Sequence, residues 1–71
     1  MKTLDVRGLN CPQPILKTKL ALRDLQEGER LTVYATDPHA EIDFKAYFMH
    51  ITSKLVSCTE EAGVFCFLIE K

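Results

Sequence analysis

The chain has no tryptophan, and only three glycines, three prolines and three cysteines among its 71 residues. An odd cysteine count without a Cys-x-x-Cys pair argues against both a disulfide framework and a paired zinc site. His39 and His50 lie far along the chain from Cys11, with no ligand spacing to it, so no metal site is expected. Any excess of charge of one sign is also missing, nine basic residues against ten acidic giving a net −1, which leaves no electrostatic footprint for nucleic acid or an anionic membrane. No apolar run approaches a membrane span, and the first residues lack a signal-peptide core. These absences suggest a cytoplasmic protein with free thiols, no membrane partner and no direct nucleic-acid binding. The length suits one small domain, residues 1–71, with a single two-layer core.

What is present divides into six elements. Thr3 to Val6 reads as a short strand ending at Arg7-Gly8. A helix is predicted from Pro12 to Gln26, closing near Gly28. Glu29 to Thr36 alternates Leu31, Val33 and Ala35 with Thr32, Tyr34 and Thr36, the period of a half-buried strand. Asp37-Pro38 then suggests a helix start, with Asp37 as N-cap and Pro38 in the first position, running to about Ile51. Strands at Leu55–Thr59 and Val64–Glu70 follow, joined by the turn Glu60-Glu61-Ala62-Gly63.

The order βαβαββ predicts an α/β two-layer sandwich, a four-stranded mixed sheet with two helices on one face. Each strand–helix–strand unit favours a parallel pair, and the last two strands form a hairpin. At about 100° per residue, Ile15, Thr18, Ala21, Leu22 and Leu25 share the inward arc of the first helix. Ala40, Phe44, Tyr47, Phe48 and Ile51 share that of the second. Leu16, Leu20, Ile42 and Met49 fall outside these arcs. Leu16 and Leu20, with Lys17 between them, make a candidate partner surface one turn from a cysteine. Scattered apolar exposure is the plainer reading of the same residues.

That cysteine opens the stretch Cys11-Pro12-Gln13-Pro14. Two prolines so close would break a helix interior, but they suit a helix start, where their missing N–H groups would be unbonded anyway. A thiol there meets the positive end of the backbone dipole, which favours the nucleophilic thiolate. Gln13 and Ile15 are the first-turn N–H donors available to a sulfur anion. Arg7, in the turn Arg7-Gly8-Leu9-Asn10, and more distantly Lys17 and Lys19, could add positive potential.

The run Leu4-Asp5-Val6-Arg7-Gly8-Leu9-Asn10-Cys11-Pro12-Gln13-Pro14 resembles the signature of the TusA/SirA-like sulfur-carrier family, whose hallmark is Cys-Pro-x-Pro. The similarity continues through Ile15-Leu16-Lys17, Ala35-Thr36-Asp37-Pro38, Asp43 and Gly63-Val64-Phe65, essentially the whole chain. The resemblance implies the same βαβαββ sandwich and a carrier of persulfide sulfur on Cys11, supported by the turn residues Arg7, Gly8, Pro12, Gln13 and Pro14. It implies a sulfurtransferase acting with partners: a cysteine desulfurase or rhodanese-like donor, and an acceptor protein. No cofactor is implied in this chain, although a desulfurase donor would carry pyridoxal phosphate. Two departures stand out. The family often closes its second helix with Gly-His, where this chain has Ile51-Thr52-Ser53-Lys54. Gln13 replaces an acidic residue of some members, a change that bears on partner choice.

Cys58 and Cys66 flank the final turn. Pairing of Glu60 with Val64 would set them opposite one another on one face; pairing of Glu60 with Gly63 would stagger them. Phe65, Phe67 and Ile69 are the expected core set of the last strand, which leaves Cys66 on the open face. The competing functional reading is a non-enzymatic regulatory or protein/RNA interaction module in which the Cys-Pro-x-Pro turn is structural. In its RNA form, Tyr34 would be the outward aromatic on the open sheet.

Overall fold

The structure, a computed structural model, describes residues 2–71; Met1 lies outside the described residues. The strands are β1 (Lys2–Asp5), β2 (Arg30–Ala35), β3 (Lys54–Glu61) and β4 (Val64–Glu70). Helices α1 (Gln13–Arg23) and α2 (Ala40–Phe48) complete the predicted βαβαββ order. The sheet is mixed, in the order β1-β2-β4-β3, with β1 and β2 parallel and β4 antiparallel to both β2 and β3. The second strand–helix–strand unit therefore does not make an adjacent pair. β3 runs parallel to β2, but β4 folds back from the hairpin and takes the place between them.

Alternation in β2 buries Leu31, Val33 and Ala35, and Phe67 and Ile69 oppose Val33 and Leu31 from β4. Against this face pack Leu22 and Leu25 from the first helical segment, and Ala40 and Phe44 from α2. Phe44 stacks on Phe67 with ring centroids 4.1 Å apart and planes within 8°. Thr18, the one polar residue on the inward arc of α1, is fully buried and donates its hydroxyl to the Pro14 carbonyl at 2.8 Å. Leu16, Leu20, Ile42 and Met49 are exposed, as the arcs predict.

Both helices are shorter than their apolar periodicity suggests. α1 stops at Arg23, where Asp24 and Leu25 turn back to Ala21 and Leu22 with i→i−3 bonds. The Leu22 carbonyl also accepts a bond of 2.6 Å from Lys71 Nζ. Gly28 is thus not a helix cap; it serves a later turn and donates to the Lys71 carbonyl. α2 stops at Phe48 rather than Ile51, with Met49 and His50 donating back to Ala46 and Tyr47. Met49 keeps right-handed helical dihedrals, so the missing glycine is answered by an earlier, tighter ending.

The β3–β4 hairpin pairs Glu61 with Val64 across the two-residue loop Ala62-Gly63, a register that matches neither expected pairing. Cys58 then faces Phe67 and the core, while Cys66 faces Thr59 and the open side. The two thiols lie on opposite faces of the sheet, which excludes a cross-strand pair. The register shifts between Leu55 and Ser57, with Val56 as the extra residue, which brings both Leu55 and Cys58 to the inner face.

Ala62 and Gly63 have φ of 51° and 83°, the two left-handed positions of a tight hairpin turn. An L-residue in that region costs roughly 1–2 kcal/mol, part of which glycine loses again in chain entropy. Ala62→Gly is expected to stabilise the protein by about 0.5 kcal/mol, read as a melting temperature a few degrees higher. An unchanged or lower melting temperature would contradict the turn geometry.

Candidate functional site

Because β1 and β2 are parallel neighbours, the loops that follow them leave the same end of the sheet side by side. One carries Cys11, the other Asp37, 26 residues away. In the first loop Arg7 donates its N–H to Asp5 Oδ1, and Leu9 donates to the Val6 carbonyl. Gly8 sits at φ 82° with its N–H on Thr36 Oγ1 at 2.9 Å. A Cβ at Gly8 would meet nothing within 4 Å, so glycine is needed there for conformation, not for space. This turn delivers the chain to Cys11, whose peptide bond to Pro12 is cis and whose side chain is exposed.

Asp37 ties the two loops together. Its Oδ2 accepts the Cys11 N–H at 2.6 Å, and its Oδ1 accepts the His39 N–H at 3.1 Å. The residue is 6% exposed, yet both carboxylate oxygens are bonded. The N–H donors from His39 and Cys11, with the nearby His39 imidazole, hold its carboxyl below the usual carboxylate range. The sequence suggests Asp37 as the N-cap of α2. Its side chain instead braces the turn before the helix, because the other oxygen is drawn to Cys11, and α2 begins at Ala40 with His39 as N-cap.

The electrostatics of the thiol run opposite to the expectation from helix position. The Cys11 pKa is pushed above the usual thiol value, and the Asp43 carboxylate is the leading cause. Desolvation and the negative charges of Asp43 and Asp37 act in the same direction. Three of the expected donors and cations, Gln13, Arg7 and Lys19, are engaged elsewhere. Gln13, the first residue of α1, gives its N–H to the Asn10 carbonyl at 2.8 Å. Arg7 grips Asp5 with both Nε and Nη2, at 2.9 and 2.8 Å, which drops the Asp5 carboxyl to about 2. Lys19 Nζ sits 4.8 Å from the centre of the Tyr47 ring.

Of the turn residues singled out from sequence, Gly8, Pro12, Gln13 and Pro14 all lie in the segment that presents Cys11, with Pro14 buried beneath it. Arg7 belongs to the turn but not to the thiol's charge environment. Leu16 and Leu20, 43% and 58% exposed, lie with exposed Lys17 on the outer side of α1. In the sequence Asp37 and Asp43 stand out only for their family pattern and, in Asp37, for a cap. Their action on Cys11 escapes such a reading, because nothing in linear spacing reports a contact between neighbouring loops.

A family model described as Sulfurtransferase TusA matches residues 2–71. The chain belongs to the TusA family. Among its relatives, the sulfur carrier protein TusA of Allochromatium vinosum is 46% identical over 68 residues, spanning 96% of this chain and 90% of that protein. The sulfur carrier protein TusA of Pseudomonas fluorescens is 39% identical over 69 residues, spanning 97% and 83%. The crystal structure of a SirA-like protein from Desulfitobacterium hafniense superposes with a TM-score of 0.75 at 26% identity, covering 99% of this chain and 96% of that one. The TusA-family fold is therefore shared by sequence and by structure.

Beyond this TusA-like turn the molecule offers little other chemistry. Among the described residues no group of three His, Cys, Asp or Glu side chains is placed to hold a metal ion, and no helix is long and apolar enough to cross a membrane. On the open face Tyr34 borders a small hollow with Thr59, Glu61, Ala62, Val64 and Cys66. The charges in register on that face, Asp5, Arg30, Lys54, Glu61 and Glu70, are mixed in sign.

A carboxyl held below its ordinary value contributes stability that is complete above that value and lost as pH falls through the folded one. Asp37→Asn is expected to lower the melting temperature at neutral pH, since an amide has only one acceptor oxygen for two N–H donors. It should also flatten the loss of stability at acid pH, with the part due to Asp5 remaining. An acid melting profile as steep as that of the unmodified protein would contradict the bridging role.

Proposed function

We propose that this chain is a sulfur carrier that accepts and passes on persulfide sulfur through Cys11 in a protein-to-protein relay. The observation that carries the reading is the exposed Cys11 thiol, set on a turn braced by a buried carboxylate in a chain of the TusA family. Transfer between proteins needs a sulfur that a second protein can reach, and a rigid turn presents it without folding cost at each encounter.

The exchange is balanced without an outside oxidant or reductant. Cys11 attacks the terminal sulfur of a donor persulfide, R–S–SH. A bond forms between Cys11 Sγ and that sulfur, and the donor's S–S bond breaks. The products are Cys11–S–SH and R–SH, the Cys11 proton replacing the one the donor thiol needs. Delivery to an acceptor repeats the step in reverse roles. Donors of the cysteine desulfurase or rhodanese-like type supply such persulfides. Exposed Leu16 and Leu20, with Lys17, offer them an apolar contact beside the turn.

The test is to incubate the protein with a cysteine desulfurase and cysteine, then locate added sulfur by mass spectrometry. One additional sulfur on Cys11 is expected, absent in Cys11→Ser and still present in Cys58→Ser and Cys66→Ser. Added sulfur confined to Cys58 or Cys66, or none from either desulfurase or rhodanese-type donors, would refute the carrier role.

A further inference from the structure

The open face of the sheet serves neither the core nor the Cys11 turn. Along β4 it presents Val64, Cys66 and Leu68, half-buried residues that alternate with buried Phe67 and Ile69. Tyr34, 36% exposed, stands beside Cys66 from β2, and Thr59 stands on its other side from β3. The charged residues lie toward the two ends of this apolar stripe. Arg30 is bonded to Glu70 at 3.1 Å, and Asp5 to Arg7 at 2.8 Å. That leaves Lys54 and Glu61, both exposed and without an ion-pair partner among the described residues. They are of opposite sign and stand at the two ends of β3, Lys54 opposite Glu70 and Glu61 opposite Val64.

We propose that a second copy of this chain covers this face, with the two sheets packed face to face and turned end for end about a two-fold axis. An axis crossing the strands at the level of Phe67, midway between Val64 and Glu70, lays β3 antiparallel over β3 of the other copy. Lys54 then meets the partner's Glu61, and Glu61 the partner's Lys54, so one self-complementary contact answers both unpaired charges. The same rotation sets Leu68 over the partner's Cys66, where a hollow opens between Tyr34, Val64 and Cys66. Sheets packed in this way lie about 10 Å apart with their strands within about 30° of each other.

The charge pattern is what singles out a second copy as the occupant. A positive end and a negative end on one strand are neutralised by the same strand reversed, and a two-fold axis supplies that strand. A polyanion would meet Asp5, Glu61 and Glu70 on this face, and a polycation would meet Arg30 and Lys54. The area sets the strength. Four strands of about seven residues make a face of roughly 19 by 23 Å. Two such faces bury roughly 1,000 Å² in total, at the low end for a specific interface, so the association is weak and reversible. Both helices lie on the other face of the sheet, and the Cys11 turn lies beyond the end of edge strand β1, so pairing leaves both Cys11 thiols exposed.

Sedimentation equilibrium of the reduced full chain at low salt should show a reversible monomer–dimer equilibrium between about 10 µM and 1 mM. Lys54→Glu and Glu61→Lys, each alone, should weaken the dimer by about tenfold or more, because like charges then meet at both contacts. An equimolar mixture of the two variants should regain the unmodified affinity, since unlike charges again face each other on both sides. In a Cys11→Ser chain, a bis-maleimide spanning about 10 Å should join two copies through Cys66, and Lys54→Glu should suppress the joining. A monomer at every concentration would leave the face to some other occupant and overturn the proposal. So would a dimer indifferent to the charge swaps, or variants whose mixture stays monomeric. A dimer that obeys the swaps but leaves Cys66 unjoined would place the pairing along the β3 edge, and would equally overturn the face-to-face contact.

Discussion

The arrangement around Cys11 depends on one buried carboxylate. Asp37 accepts the Cys11 N–H with one oxygen and the His39 N–H with the other, and so joins the start of each helix to the other. Neutral donors, not a cation, satisfy most of its bonding capacity. Its charge is therefore stabilised without being cancelled, and it acts on the neighbouring thiol. The group that places the sulfur also helps to keep it protonated.

That contact exists because of the sheet. Parallel pairing of β1 with β2 brings the ends of both strands to one edge, where their following loops lie adjacent. Crevices at the carboxyl ends of parallel strands are the usual location of sites in open α/β sheets. Insertion of β4 between β2 and β3 covers the other side of β2 and supplies Phe67, on which Phe44 of α2 stacks. The aromatic stack anchors the helix that bears Asp43, next in sequence to Phe44. Core packing and the leading influence on the Cys11 pKa thus come from adjacent residues.

Much of this is legible in the residues. Alternation marks β2, the 3.6 period separates buried Leu22 and Phe44 from exposed Leu20 and Ile42, and Cys-Pro-Gln-Pro locates the thiol turn. The features that are not legible share a cause: they depend on contacts between segments distant in sequence. Strand order turns on where the hairpin folds back, and the bulge at Val56 on the need to keep both Leu55 and Cys58 inward. The acidity of Cys11 is misjudged from sequence for the same reason. Local reasoning sees a helix terminus and Arg7, while the fold gives Arg7 to Asp5, Gln13 to Asn10, and two carboxylates to the sulfur.

A carrier thiol held in reserve as S–H suits a protein that must meet several partners and avoid reacting between them. Such restraint requires the turn to be fixed, and amide hydrogen exchange of Cys11 tests that most directly. Cys11 is exposed, and an amide in an unbraced surface turn would exchange freely. The brace predicts a Cys11 amide protected to a similar degree as that of His39, with both losing protection in Asp37→Ala. Free exchange at Cys11 in the unmodified protein would contradict it.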